Sequence, residues 1–315
     1  MKNLKKIKGD ASFRSFFRKK NKNHNSIIVF TKKDKLKNLI VYDAINKILN
    51  KNKILAPNLY KENYSKNFIE IQDFGDVSIS RILKNKSKNK LFYYKKIIKL
   101  LGKIQLIKNR SIKNFKKKKY LIPKYEKKIL IKEANLFCDW YVKKELSKRE
   151  SKTFIIIYKK IIKRLTLSLK LKDNIFVHRD FHISNLMLVN NQIGILDSQD
   201  ALIGNKAYDL ASLIDDVRLK TSKSLKKKIY NLYIKNIKKS EKNNIRNDFE
   251  ILSILRNLKI IGIFNRLSLR DGKKEYLKFI PYAWQLISMR LNENNKSQDL
   301  KDLLKKKFKK KMYEN

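Results

Sequence analysis

Apolar positions change period along this chain, and the changes divide it. Ser26–Thr31 (SIIVFT) and Phe68–Gln72 (FIEIQ) are short apolar runs of strand length. Between them Leu36, Leu39, Ile40, Ala44, Ile45 and Ile48 recur at helical spacing, with Asp34 placed to cap that helix and Pro57 to break it. After the turn Asp73-Phe74-Gly75 the texture shifts. Amphipathic stretches over 88–109, 123–147, 150–171, 206–217, 222–240, 246–268 and 273–292 predict helices. One strand-rich interval interrupts them: Phe176-Val177, Leu186–Val189 and Ile193–Leu196 are small apolar runs around polar loops. The pattern predicts an α+β chain in two lobes. Residues 1–74 form a small mixed lobe with an antiparallel sheet, and residues 75–315 a larger, mainly helical one. A cleft between such lobes is the natural place for a ligand.

Composition supports a folded chain. Of 315 residues 42% are apolar, and 15 Tyr and 16 Phe argue against global disorder. Only 7 Gly and 3 Pro are present, too few for a loop-rich all-β fold. Cys138, the single cysteine, can form no internal disulfide and no zinc site alone. It suits a reducing compartment, and a cytoplasmic location is expected. The start, MKNLKKIKGDASF, has no apolar segment of signal-peptide type, and no run approaches a membrane span.

The formal charge is +50, from 78 Lys plus Arg against 28 acidic residues. A field of that size attracts polyanions such as nucleic acid or anionic membrane. The charge is spread evenly over a chain rich in Lys, Asn and Ile, which reads as compositional drift rather than a selected patch. The basic C-terminal stretch LKDLLKKKFKKKMYEN reads as a solvated terminal helix, with a membrane-surface helix as the alternative.

The chemistry is concentrated in Phe176–Asp200, FVHRDFHISNLMLVNNQIGILDSQD. His178-Arg179-Asp180 is followed by Asn185 and then Asp197, the spacing of the protein-kinase catalytic loop and its metal-binding Asp. Phosphoryl transfer asks the protein for positioning and charge neutralisation. Asp180 is the candidate base that orients the acceptor hydroxyl and takes its proton. Asn185 and Asp197 offer the hard oxygens that Mg2+ prefers. An HRD tripeptide alone would be a chance match. The ordered set between strand-like runs points to function. His178 is expected to orient the loop, and His182 chiefly to pack.

These residues resemble the aminoglycoside phosphotransferase/choline kinase-like family, whose loop is HxDxxxxN with a later metal Asp. The resemblance implies a protein-kinase-like fold and ATP with Mg2+. It also implies that Asp209, in Tyr208-Asp209-Leu210-Ala211, braces the catalytic loop. GDASFR (Gly9–Arg14) with Phe17-Arg18, NLFCDWYV (Asn135–Val142) and LKIIGIFNRLSLRDGKKEYLKFIP (Leu258–Pro281) are similar to the anomeric N-acetylmuramate/N-acetylglucosamine kinases of peptidoglycan recycling. That resemblance implies phosphorylation of the anomeric hydroxyl of an amino sugar. In it Ser12 and neighbouring amides cover the phosphates, Arg14 clamps them, and the Gln72-Asp73-Phe74-Gly75 turn is the adenine hinge. Glu133, Asp139, Trp140 and Arg266 are candidates for the sugar pocket. For the three charged ones, ordinary ion pairing competes, and for Trp140, helix packing.

The chain also departs from protein kinases. The V-A-I-K lysine is missing: Phe30 stands near its position, with Lys32 and Lys33 just beyond. No Glu partner appears in the next helix, and the first hairpin lacks multiple glycines. No A-P-E segment follows Asp197. Other acceptors (choline, a hydroxylated amino acid, an aminoglycoside) form a second reading. A non-catalytic kinase fold binding RNA or membrane forms a third.

Overall fold

A computed structural model of the chain describes residues 4–7, 14–20, 25–85 and 89–313. Packing groups the chain into two compact units, Met1–Pro123 with Ile175–Ile203, and Lys124–Asn174 with Gly204–Asn315.

The first unit is built on a five-stranded antiparallel sheet. Its strands are β1 (Leu4–Ile7), β2 (Ser15–Lys19), β3 (Ser26–Phe30), β4 (Leu59–Asn63) and β5 (Phe68–Gln72), in the order β1-β2-β3-β5-β4. Alternation along β3 sends Val29 to one face, where it meets Ile69 and Ile71 of β5 and Leu39 and Tyr42 of helix α1 (Lys37–Lys51). Phe30 goes to the other face and packs against Phe17 and Phe68, with ring centroids 5.7 and 5.1 Å away. On that same face Glu70 accepts a hydrogen bond from Ser26 Oγ at 2.5 Å. Asp34 does not cap α1. It lies exposed in a one-turn 3-10 helix, Lys33–Lys35, and α1 begins beyond it with no side-chain cap. The unit continues through α2 (Ile79–Lys84), α3 (Lys90–Gln105) and a hairpin of β6 (Ser111–Lys113) and β7 (Lys119–Leu121). The chain re-enters it along β8 (Asp173–Val177), then forms the hairpin β9 (Leu186–Val189) and β10 (Gln192–Ile195).

The second unit is helical. It opens with α4 (Lys127–Leu136), which passes into a π-helical stretch, Phe137–Val142, and a single turn α5 (Lys143–Glu145). Next comes α6 (Lys148–Leu167), started by a Ser147/Glu150 capping box. Strand β11 (Leu202–Asn205) leads to α7 (Ala207–Ile214), α8 (Lys223–Ile234), α9 (Lys239–Asp271), α10 (Ile280–Glu293) and α11 (Gln298–Tyr313). Helix α9 is buried on all sides through most of its length and stops at Gly272, whose φ of 68° supplies the left-handed C-cap. Phe137, Tyr141, Phe154, Tyr158, Trp284 and Phe308 form one aromatic cluster in this unit. Phe308 belongs to α11, whose Leu300, Leu304 and Met312 are also buried. The apolar face of the basic C-terminal helix is therefore occupied within the unit. No helix among the described residues is long and apolar enough to cross a membrane.

Candidate active site

The catalytic segment lies wholly in the first unit, and its backbone is held at close intervals. Beyond Val177, His178 is fully buried and its Nε2 donates to the Leu196 carbonyl at 3.0 Å. A carbonyl can only accept, so the proton sits on Nε2. Burial lowers the imidazole pKa despite the nearby carboxylates of Asp180 and Asp197, which keeps the ring neutral. The amide of Leu196 in turn donates to the Asn185 carbonyl at 2.8 Å. Both backbone groups of the residue before Asp197 are thus taken by the loop that carries Asp180 and Asn185. The segments that carry the three residues are thereby tied to one another.

Inside the loop the Asp180 carbonyl accepts from the His182 amide at 2.9 Å and from Asn185 Nδ2 at 3.0 Å. The Asn185 nitrogen is committed to that bond, so of the side-chain amide it is Oδ1 that can accept or ligate. His182 is buried and its carbonyl accepts from the Asn185 amide at 3.0 Å. Arg179 at φ 72° and Asp197 at φ 61° are among the non-glycine residues with left-handed backbone. Such conformations cost about 1–3 kcal/mol and persist where surrounding structure enforces them, characteristically at functional sites.

Asp197 is partly exposed and its carboxylate takes Arg14 as an ion-pair partner. Arg14 is 6% exposed and also donates from Nη1 to Gln199 Oε1 at 2.9 Å. Ser198, fully buried, donates to Asn46 Oδ1 of α1 at 2.5 Å, fastening the metal-loop candidate to the helix. Asp43 of α1 is not available as a counter-ion to the loop. It accepts from Lys47 Nζ and from the Phe115 amide, each at 2.8 Å. Arg14, Gln199, Asn46 and Ser198 were not readable as one group from sequence, since Arg14 and Asp197 lie 183 residues apart.

Among the described residues no cluster of three or more His, Cys, Asp and Glu could hold a metal unaided. One carboxylate and one amide oxygen fit Mg2+, which keeps several waters and shares phosphate oxygens instead of entering an all-protein cage.

In the turn proposed as the hinge, Gln72–Gly75, Arg18 Nε bonds Asp73 Oδ2 at 2.5 Å and the Gly75 amide donates to Asp73 Oδ1 at 2.8 Å. Gln72 Oε1 accepts from Asn58 Nδ2 at 3.1 Å. Gly75 has φ 75°, which favours glycine. Phe74 is buried, and its ring lies where a Cβ at Gly194 would sit, 2.6 Å away, so Gly194 lets the hinge pack on the β9–β10 hairpin. The side chains of Gln72, Asp73 and Phe74 therefore hold the turn. Ser12 lies outside the described residues.

The remaining candidates belong to the second unit. Glu133 accepts from the Tyr125 hydroxyl and pairs with Lys259 Nζ at 3.1 Å. Lys259 also reaches the Tyr208 hydroxyl at 3.5 Å. Sequence reasoning did not pair Lys259, Tyr125 or Tyr208 with Glu133, although Lys259 and Tyr208 lie in segments that carry the resemblance. Asp139 is half exposed and pairs with Lys143 at 3.7 Å. Trp140 is half-buried in the π-helical stretch, a local geometry frequent at functional sites. A Cβ at Gly262 of α9 would fall 2.3 Å from the Leu136 carbonyl carbon, so the α4 backbone rests on α9 there. The Glu133–Lys259 and Leu136–Gly262 contacts run in the same sense, and the π-helical stretch that follows α4 packs on α9 as well. Arg266 is half-buried, with no partner for its Nε among the described residues, and burial lowers its pKa. Asp209 is buried in the first turn of α7. Cys138 is buried too, and desolvation raises its thiol pKa well above the usual range, an inert packing residue.

N-acetylmuramate/N-acetylglucosamine kinase of Neisseria meningitidis serogroup B is 26% identical over 282 residues, covering 86% of this chain and 80% of that one. In fold, the chain is similar to a choline/ethanolamine kinase family protein from Mesorhizobium loti, at TM-score 0.64 and 10% identity, over 95% of this chain and 92% of that one. It is similar also to aminoglycoside phosphotransferase APH(2'')-Ib in its ADP-bound form, at TM-score 0.60 and 16% identity, over 90% and 91% of the two chains. The fold is thus kinase-like, with the antiparallel sheet and helical remainder expected from the sequence. The model of the phosphotransferase enzyme family matches residues 3–234, a span that contains the whole catalytic segment, and the chain belongs to that family.

Proposed function

We propose that this phosphotransferase moves the γ-phosphoryl group of ATP to the anomeric hydroxyl of an amino sugar, N-acetylmuramate or N-acetylglucosamine. The observation that carries the reading is the joint one: an HRD loop locked to the Asp197 strand end, in a chain similar over 86% of its length to a kinase named for those two sugars.

In this reading the Asp180 carboxylate accepts a hydrogen bond from the sugar hydroxyl, aims its oxygen at the phosphorus and takes the proton as the P–O bond forms. Asn185 Oδ1 and the Asp197 carboxylate hold Mg2+, which neutralises phosphate charge when bound. Neutral His178 keeps both halves of the site in register. Ser12 and its neighbouring amides cover the phosphates, and the Gln72–Gly75 turn receives adenine through backbone groups, its side chains being engaged in the turn. Residues 1–74 act as the nucleotide-covering lobe and 75–315 as the catalytic and acceptor lobe. Glu133, Asp139, Trp140 and Arg266 bind the sugar: a Trp face suits the apolar face of a pyranose, and the charged groups suit its hydroxyls and carboxylate. Asp209 braces the loop. We place the reaction in the cytoplasm, where ATP is supplied.

The test is ATP- and Mg2+-dependent turnover across N-acetylmuramate, N-acetylglucosamine, choline and an aminoglycoside, with Asp180→Asn as control. Turnover confined to the amino sugars, falling about 10²- to 10⁴-fold in Asp180→Asn while ATP binding persists, is expected. Turnover confined to choline or the aminoglycoside would overturn the acceptor, and full activity of Asp180→Asn would overturn the base.

A further inference from the structure

We infer that Arg14 replaces the missing strand lysine as the phosphate-facing cation, and that it is held on Asp197 until metal and nucleotide arrive together. The inference rests on the nucleotide and metal half of the reading above and is independent of the sugar.

Three observations carry it. Strand β3 offers no lysine on either face: Phe30 is packed between Phe17 and Phe68 away from α1, and Val29, on the α1 face, is buried and apolar. Lys32 and Lys33, next in line, are both exposed. A kinase-like phosphate site still needs a fixed cation to balance charge on the transferring group.

Arg14 meets the structural demands on such a cation. It stands immediately before Ser15, the first residue of β2. Its guanidinium is almost wholly buried, 5.4 Å from the Phe16 ring centroid and 5.6 Å from that of Tyr42. Those two aromatic faces fix its approach and strip it of water, which strengthens whatever ionic contact it makes. Arginine also carries the planar fork that matches phosphate oxygens.

The third observation is its partner. Arg14 is spent on Asp197, and its second nitrogen is on Gln199. The α1 helix supplies no carboxylate to take it instead: Asp43 is engaged with Lys47 and Phe115, and Tyr42 is a phenol whose pKa burial pushes up to about 12, so it stays neutral. Arg14 and a divalent cation therefore compete for one carboxylate. A metal on Asp197 displaces Arg14, and a nucleotide phosphate gives it a new anion. Each event makes the other easier, a coupling that reads as reciprocal affinity. Gln199, bonded to Arg14 and at 2.8 Å to Asp200, stays as the fixed point about which the guanidinium turns.

The signature is a pair of effects of opposite sign, which simple structural damage does not produce. Arg14→Gln removes both the competitor for metal and the partner for phosphate. Mn2+ alone, titrated by electron paramagnetic resonance, binds it about threefold or more tightly than wild type. A non-hydrolysable ATP analogue with Mg2+, titrated by calorimetry, binds it about tenfold or more weakly. Asp197→Asn, near-isosteric, frees Arg14: ATP without metal, in EDTA, then binds more tightly than to wild type. That gain disappears in the double variant Arg14→Gln/Asp197→Asn. The inference is overturned if Arg14→Gln weakens Mn2+ and nucleotide alike or leaves nucleotide affinity unchanged. It is also overturned if the double variant keeps the gain. Should Arg14→Gln melt below the assay temperature, Arg14→Lys is titrated in its place. It keeps a point charge and loses the fork, so weaker analogue binding with Mn2+ affinity at or above wild type is the supporting result, and parallel loss of both overturns it. None of these outcomes depends on which acceptor is phosphorylated.

Discussion

Gly262→Ala tests the seam on which the proposed sugar residues sit. The added Cβ would lie 2.3 Å from the Leu136 carbonyl carbon, 2.4 Å from its oxygen and 2.6 Å from the Phe137 nitrogen. Carbon contacts relax at about 3.5–4.0 Å, so α4 and α9 must part by about 1 Å. The obstacle is backbone at the entry to a π-helical stretch, not a side chain that can swing aside. Overpacking of this kind costs about 1–3 kcal/mol, and here the upper end applies. Alanine returns about 1 kcal/mol of helix propensity. The net loss is about 2 kcal/mol, a fall in Tm of about 3 °C for a chain of this length. Gly102 provides a control within α3, where a Cβ meets nothing within 4 Å. The same substitution there leaves only the propensity gain, so Gly102→Ala raises stability by about 0.5–1 kcal/mol. Thermal and urea melts of the two variants should move in opposite directions. Parting the helices also loosens the Glu133–Lys259 pair, so KM for the sugar rises in Gly262→Ala and not in Gly102→Ala. A Gly262→Ala protein as stable as wild type, with unchanged KM, would refute the close approach and its part in shaping the pocket.

Asp215 is fully buried and answers two cations, Lys226 at 3.1 Å and Arg290 at 2.8 Å. Asp215→Ala strands both and costs about 3–5 kcal/mol, measured by urea unfolding. Burial pushes the Asp215 pKa up, but Lys226 and Arg290 outweigh it and hold it well below the carboxylate range. Its contribution is therefore complete above the unfolded pKa of about 3.9 and is lost as pH falls below that toward the folded value. Wild-type stability should fall through that window more steeply than that of Asp215→Asn. Arg266→Ala should raise KM about tenfold for the carboxylate-bearing N-acetylmuramate, the value of one charge-assisted hydrogen bond, and leave N-acetylglucosamine within about twofold. Equal increases for both sugars would remove Arg266 from carboxylate recognition.

The candidate catalytic loop stands out in the sequence because its motif is local. His178, Asp180, Asn185 and Asp197 fall within one short segment whose strand–loop–strand pattern follows from alternating apolar runs. The strands β3, β5, β9 and β10 were legible for the same reason. Strands β1, β2 and β4 read LKKI, SFFRK and LYKEN, too polar to score as strands because much of their surface faces solvent. Helix α9 extends beyond the predicted 246–268 because its first turns, KSEKNN, carry no apolar stripe. Asp34 has the residue type of a cap, but the chain uses it in a preceding 3-10 turn. Partnerships between distant segments could not be read at all. Arg14 on Asp197, Lys259 on Glu133 and Asn46 on Ser198 are set by tertiary packing. Asp139 was a candidate through the resemblance of its segment, and its pairing with Lys143 one turn on is the ordinary ion pair weighed beside that role.

The central claim, phosphoryl transfer to an anomeric hydroxyl with Asp180 as base, meets its most direct test in the product. The protein is incubated with ATP, Mg2+ and N-acetylmuramate, and the sugar phosphate is read by phosphorus and proton NMR. Phosphorus coupled to the anomeric proton, formed by wild type and not detectably by Asp180→Asn over the same interval, is the predicted result. Phosphorus on any other sugar oxygen, or the same product at the same rate from Asp180→Asn, would contradict the account.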